Sequence, residues 1–264
     1  MSTPGNQPKR LLIGAGSFAD AQAALRLAER LTETLVGDLG GLLVEETVVA
    51  EVVDLPGQRV VTASGTIVVA PSRDQVRTLM ESDAKAFRET LSGLAQARAR
   101  EWSFERRHGD LIGRLCEAST GWDLLLLGYR GTHRYAGPVV LITPSGASPQ
   151  AKTELAADLA RGMATALRTG LVALSLATDI ADPHAEGGNH EQFTSEAAML
   201  ARTSRINACA VVLDLSAGPF RTHDQLRRLL AAARCPLLVL GAAQGEPSIA
   251  HTTQIPPSPE TNGN

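Results

Sequence analysis

Short aliphatic runs alternate along the chain with segments whose apolar residues recur at helical spacing. The first run, Leu11–Ile13, ends at the turn 14–17, and Leu42–Val44 predicts the next strand. Between them, the residues on the predicted apolar helix face are Ala24, Leu27, Ala28, Leu31 and Leu35. A strand, a glycine-rich turn, a helix and a second strand form the unit from which parallel sheets are built. The pattern therefore predicts an α/β fold with a parallel sheet.

Further elements follow the same logic. Arg59–Val61 and Ile67–Val69 flank a glycine-containing turn and predict a β-hairpin, which interrupts the rhythm between Glu45 and Pro71. A long helix is expected from about Ser72 to Arg100. The remaining expected elements are a strand at 102–106, a helix capped by Asp110, a buried strand at 124–127, a helix at 223–234 and a last strand at 237–240.

The second half of the chain resembles the first. Val139–Leu141 aligns with Leu11–Ile13, and Val211–Leu213 aligns with Leu124–Leu126. We interpret this as two degenerate copies of one unit, against the alternative of chance likeness between strand–helix segments. The expected organisation is a disordered lead-in at 1–10, a first copy at 11–137 with a hairpin insert near 45–71, a shorter second copy at 138–243 and a disordered tail at 244–264. Whether the copies share one sheet, and which copy owns the strand at 139–142, stay open.

Composition narrows the function classes. Hydrophobic residues make up 44% of the chain but aromatic residues only 3%, so aliphatic side chains must build the core. The net charge of −3 offers no general basis for binding nucleic acid, and no apolar run approaches the roughly 20 residues that span a bilayer. Three widely spaced cysteines favour free thiols in a reducing compartment. We therefore expect a cytoplasmic protein.

Three segments resemble the tandem form of the universal stress protein family. They are Leu11–Ser17, the stretch from Gly109-Asp110 to Asp123–Gly131, and the helix and strand ending in Cys235-Pro236 and Leu237–Leu240. The resemblance implies an open α/β sandwich of the adenine-nucleotide-binding type. In this family the closing strand pairs across a dimer, so it also implies a homodimer. The implied interface residues are Leu237, Leu238, Val239 and Leu240. The alternative is burial of this strand by the other copy.

This sequence departs from the ATP-binding motif of that family. Gly128 and Gly131 fit the start of G-x2-G-x9-G-[ST], but the last pair falls on Leu141-Ile142. Ala15 stands where the family has an acidic residue. We therefore expect no cofactor and no binding of ATP at micromolar concentration, with an ATP or AMP site as the alternative.

Two turns remain candidates for holding an anion. Glycine-rich turns that open a helix present free N–H groups, and turns at the carboxyl ends of parallel strands are where open sheets bind ligands. The candidate residues are Gly14, Ala15, Gly16, Ser17, Gly128, Arg130 and Gly131. The alternative for each is a turn or solvated loop with no ligand.

Other chemistry is expected to be absent. His184, His190 and Glu191 flank two glycines, and two histidines in a loop are more often solvated than metal-bound. Cys116 and Cys209 fit core positions better than nucleophiles. A dinucleotide fingerprint is not excluded by spacing, with Glu45 and Glu46 as candidates for its acidic residue.

These observations favour a non-catalytic regulatory or stress-response protein that acts through dimerisation and an unidentified protein partner. The second hypothesis is a nucleotide sensor with a modified pocket. The third, an enzyme of a related α/β class, lacks a recognisable nucleophile, base or metal constellation.

Overall fold

The computed structural model describes residues 9–31, 36–46, 59–61, 67–69, 72–130, 137–143, 151–176 and 190–246. The strands are β1 Lys9–Ala15, β2 Val36–Glu45, β3 Arg59–Val61, β4 Ile67–Val69, β5 Trp102–His108, β6 Leu124–Leu127, β7 Val139–Thr143, β8 Leu171–Leu176, β9 His190–Phe193, β10 Ala210–Asp214 and β11 Leu237–Leu240. The helices are α1 Phe18–Leu31, α2 Arg73–Gln96, α3 Leu111–Ala118, α4 Ala151–Leu167, α5 Glu196–Thr203 and α6 His223–Ala233, followed by a 3-10 turn, Ala242–Gln244.

Nine strands form one mixed sheet in the order β5-β2-β1-β6-β11-β10-β7-β8-β9. The first four strands in this order are mutually parallel, the last five are mutually parallel, and β6 and β11 pair antiparallel. The strands of the two halves therefore point in opposite directions, and their carboxyl ends lie at opposite edges of the sheet. This confirms the α/β class.

Each half follows the same connectivity. In the first half, β1 lies between β2 and β6, and β5 lies outside β2. In the second half, β7 lies between β8 and β10, and β9 lies outside β8. β7 pairs with β8 and β10, so it occupies in the second half the place that β1 has in the first. The second half adds a fifth strand, β11, and this strand also pairs with β6 of the first half. The two halves therefore share one closing strand.

The closing strand is buried within the chain. Leu237–Leu240 pairs with β10 on one side and with β6 on the other, and its side chains are 0–4% exposed. Of the two outcomes expected for it, the structure shows burial by the other half. Leu237, Leu238, Val239 and Leu240 are therefore not a surface for a second chain, because both edges of their strand are already hydrogen-bonded.

Helices cover both faces of the sheet. α1, α2 and α4 pack on one face with Leu124 and Leu126, while α3, α5 and α6 pack on the other with Leu125 and Leu127. The aliphatic runs of the sequence follow from this, since a strand covered on both faces has no solvent side.

The strand register of the two halves differs by one residue from the sequence alignment. Leu11 pairs with Leu124, whereas Val139 pairs with Ala210. The alignment of Val211 with Leu124 is therefore wrong, because successive strand residues face opposite sides of a sheet and a one-residue slip exchanges the faces.

Local elements agree with the expected boundaries to within a few residues. β3 and β4 form the predicted hairpin as a separate two-stranded sheet. Ser72 begins α2 with a capping box, and the Asp110 carboxylate accepts a hydrogen bond from the Gly113 N–H at 2.8 Å. The start of the expected tail is structured, since Glu246 N donates to the carbonyl of Arg221. Lys9 and Arg10, which were expected in the disordered lead-in at 1–10, instead begin β1. Residues 1–8 and 247–264 lie outside the described residues.

Candidate functional site

The turn after β1 lies at the carboxyl edge of the first half. Gly14 is still within β1, and a Cβ there would come within 2.0 Å of a methyl carbon of Leu115. Ala15 is fully buried, and Gly16 is exposed with no atom closer than 3.9 Å to such a Cβ. Gly14 is therefore needed for the packing of α3 on the sheet, whereas Gly16 is exposed at the turn.

Two N–H groups at the start of α1, those of Phe18 and Asp20, already have partners. The Asp83 carboxylate, from α2, accepts a hydrogen bond from Phe18 N at 3.0 Å. Ser17 Oγ accepts from Asp20 N at 3.2 Å and donates to Asp20 Oδ2 at 2.5 Å. A helix N-terminus attracts anions because its N–H groups are unpaired. Here a carboxylate of the chain itself occupies that position, and two negative charges stand where a phosphate would have to approach.

Gly128 packs against the same helix. Its N–H donates to the carbonyl of Gly14 at 2.7 Å, and a Cβ at this position would lie 2.6 Å from the backbone oxygen of Asp20. The glycine therefore permits close contact between the end of β6 and the first turn of α1. Arg130 is exposed and forms no ion pair within the described part of the chain, and Gly131 lies outside the described residues.

The positions that align with the motif's last pair do not provide donors. Leu141 and Ile142 lie in β7, are 4% and 1% exposed, and are in register with Ala173 and Leu174 of β8. Their side chains are apolar and their backbone is part of the sheet ladder. These two residues therefore offer no side-chain donor to a phosphate group.

The equivalent edge of the second half is also internally paired. Asp214 ends β10, is 3% exposed, and accepts hydrogen bonds from Ser216 N at 2.7 Å and from Ser216 Oγ at 2.6 Å. A Cβ on Gly218 would lie 2.4 Å from the Asp214 carbonyl oxygen. This glycine, like Gly128, is explained by close backbone packing.

Glu45 ends β2, where a dinucleotide-binding protein places its ribose-binding acid. Its carboxylate is 7% exposed and accepts from Arg106 Nε at 2.9 Å, while His108 Nε2 lies 2.8 Å from its other oxygen. Because both oxygens are engaged by β5, this carboxylate is not free for a ribose hydroxyl. Spacing alone made Glu45 a candidate, but its partners are more than 60 residues away in the sequence.

Glu191 is ion-paired, and the two candidate cysteines are buried in the core. Glu191 is held by Arg202 through two hydrogen bonds of 2.7 and 2.6 Å, which lower the pKa of its carboxyl group. Burial raises the pKa of the Cys209 thiol to about 11 and that of Cys116 to about 12. Within the described ranges no three potential ligands cluster as a metal site would need, and His184 lies outside those ranges.

A cavity at the junction of the halves contains residues that the sequence did not single out. Its volume is about 300 Å³, and it lies between α1 and the loops that enter β10 and β11. Its polar lining residues are Gln22, Arg26, Ser204, Arg205, Asn207 and Arg234. No local motif marks these positions, since they come from three separate segments.

Comparison with solved structures places this architecture. A universal stress protein from Archaeoglobus fulgidus is similar with a TM-score of 0.50 and 12% identity, over 89% of this chain and 96% of that one. A protein of unknown function from Pseudomonas aeruginosa is similar with a TM-score of 0.48 and 11% identity, over 88% of this chain and 92% of that one. No family model and no curated protein matches the chain. The chain therefore has a universal stress protein-like fold, and no described helix is long and apolar enough to cross a membrane.

Proposed function

We propose that this chain is a non-catalytic regulatory protein of the universal stress type whose two degenerate copies pair with each other. The observation that carries the proposal is the antiparallel pairing of β6 with β11. It joins the copies through the closing strand, the element that the family's pattern assigns to dimer contact. The chain then acts as one unit on a protein partner, in the cytoplasm, where its three unpaired cysteines stay reduced.

The proposal includes the loss of ATP binding in the first copy. The Asp83 carboxylate uses an N–H donor at the start of α1, and the positions of the lost Gly-Ser pair hold buried leucine and isoleucine. A charge-assisted hydrogen bond contributes about 1.5–3 kcal/mol, so losing two weakens binding on the order of a hundred-fold or more.

The alternative is a nucleotide sensor with a modified pocket. Arg130 favours it, because this guanidinium is exposed at the candidate edge and forms no ion pair with a described residue. Arginine binds phosphate oxygens in a bidentate geometry.

Light scattering and titration calorimetry separate these hypotheses. The proposal expects the mass of a single chain at micromolar concentration and no saturable heat with ATP, ADP or AMP. A stable dimer would contradict the internal pairing. Micromolar ATP binding that the Arg130→Ala substitution abolishes would instead establish the nucleotide sensor.

A further inference from the structure

The cavity at the junction of the two copies, which we call the junction cavity, is bordered by three elements. Helix α1 supplies its first two turns, residues 204–209 enter β10, and residues 233–236 enter β11. Because β11 runs antiparallel to β6, these entering loops lie at the same sheet edge as the end of β1. The cavity therefore exists only when both copies are joined, and it does not include the residues of the candidate turns.

Each bordering element brings one arginine to the cavity. They are Arg26, Arg205 and Arg234, and all three are exposed. None of them forms an ion pair or a side-chain hydrogen bond with any described residue. By contrast, Arg202, Arg227 and Arg228 of the neighbouring helices are each paired with a carboxylate. No acidic side chain lines the junction cavity, so none of its lining residues neutralises the three guanidinium groups.

Helix ends explain only part of this cluster, because Arg26 lies within α1 and not at its end. Arg205 and Arg234 follow the carboxyl ends of α5 and α6, where a positive charge is favourable. However, it is their backbone N–H groups that donate there, Arg205 N to the Arg202 carbonyl and Arg234 N to the Leu230 carbonyl. The guanidinium groups are left unused by these caps.

Arg234 ends α6 with φ 53°, in the left-handed region that glycine adopts at helix ends without steric cost. Ala99 and Arg168 have the same backbone conformation, so the conformation by itself does not mark a binding residue. It does mean that replacing Arg234 with glycine removes the guanidinium group without straining the backbone.

From these observations we propose that the junction cavity binds a compact polyanion, a small molecule carrying at least two negative charges on phosphate groups. A cavity of about 300 Å³ is at the small end of ligand pockets, which suits a diphosphate-sized group and not a whole nucleotide. Three guanidinium groups complement two to three negative charges, and the side-chain amide of Gln22 supplies a further hydrogen-bond donor. Binding here would report that the two copies are joined.

The test is titration calorimetry of the full chain with inorganic pyrophosphate, with citrate as a second probe, at low and at physiological salt. We expect saturable pyrophosphate binding that weakens as salt rises. The Arg205→Ala and Arg234→Gly substitutions should each weaken it at least about tenfold, the loss expected for one charge-assisted hydrogen bond. The Arg88→Ala substitution removes an exposed arginine outside the cavity and should change the affinity less than about twofold.

Arg234→Gly separates binding from folding. Because glycine relieves the left-handed backbone, this variant should melt no lower than the parent while it loses affinity. Citrate binding that depends on the same arginines would support the anion site and show that the site accepts carboxylate groups. The proposal is overturned if neither probe binds up to millimolar concentration, or if Arg88→Ala weakens binding as much as the cavity substitutions. A loss of ATP binding on Arg130→Ala would refute the proposed function and leave this site untouched.

Discussion

Replacing Gly128 with alanine tests whether this glycine serves packing or ligand binding. The new Cβ would lie 2.6 Å from the backbone oxygen of Asp20, whereas ordinary van der Waals contacts begin at 3.4 Å. The end of β6 and the first turn of α1 must therefore separate by about 0.8 Å, the difference between these two distances. The obstacle is helix backbone, which cannot move aside by changing rotamer. Overpacking of this kind costs about 1–3 kcal/mol.

For a chain of this size, that cost corresponds to a melting temperature about 2–6 °C lower. Thermal unfolding followed by circular dichroism, without any nucleotide, measures it. The matched control is Gly16→Ala in the same candidate site, where the nearest atom is 3.9 Å from the new Cβ and the melting temperature should stay within about a degree. An unchanged melting temperature for Gly128→Ala, or a larger loss for Gly16→Ala, would refute the packing explanation.

Three further predictions concern stability and reactivity. Burial raises the pKa of the Cys209 thiol to about 11 and that of the Cys235 thiol to about 12. Both thiols should therefore react slowly with a thiol reagent at pH 8 and rapidly in denaturant. Fast labelling of the native protein would contradict this. Glu191→Gln should destabilise the protein by no more than about 1 kcal/mol at pH 7, because its pair with Arg202 is partly exposed. Since the pKa of Glu191 is lowered in the folded state, that difference should fade as the pH falls below about 4.5, and a difference that grows in acid would refute the assignment. Gly93→Ala should raise the free energy of unfolding by about 0.5–1 kcal/mol in a denaturant titration. Gly93 is an exposed helix position, and no atom lies within 4 Å of the new Cβ. A lower free energy of unfolding would contradict this prediction.

The elements of the fold were largely predictable from local pattern. The hairpin at 59–69, the capped helices α2 and α3 and the strand Leu237–Leu240 all follow from periodicity and capping residues. These features depend on neighbours within one or two turns, which a single sequence contains. The one-residue error between Val211 and Leu124 shows the limit, since a run buried on both faces carries no alternation from which its facing could be inferred.

The sequence could predict where the candidate turns lie but not which groups their N–H donors contact. The glycine-rich turns lie at the carboxyl edge of the first half, as the pattern predicted, but the sequence could not show that Asp83, more than 60 residues away, provides a carboxylate to the start of α1. Likewise, the pattern identified Leu237–Leu240 as a strand that needs a partner on each side, because an apolar strand cannot leave its backbone groups unpaired. Only the tertiary structure decided that β6 of the same chain supplies one of them. The same pairing brings Arg26, Arg205 and Arg234 to one cavity. It turns the strands of the two halves in opposite directions and so places the entry of β10 and β11 beside the start of α1.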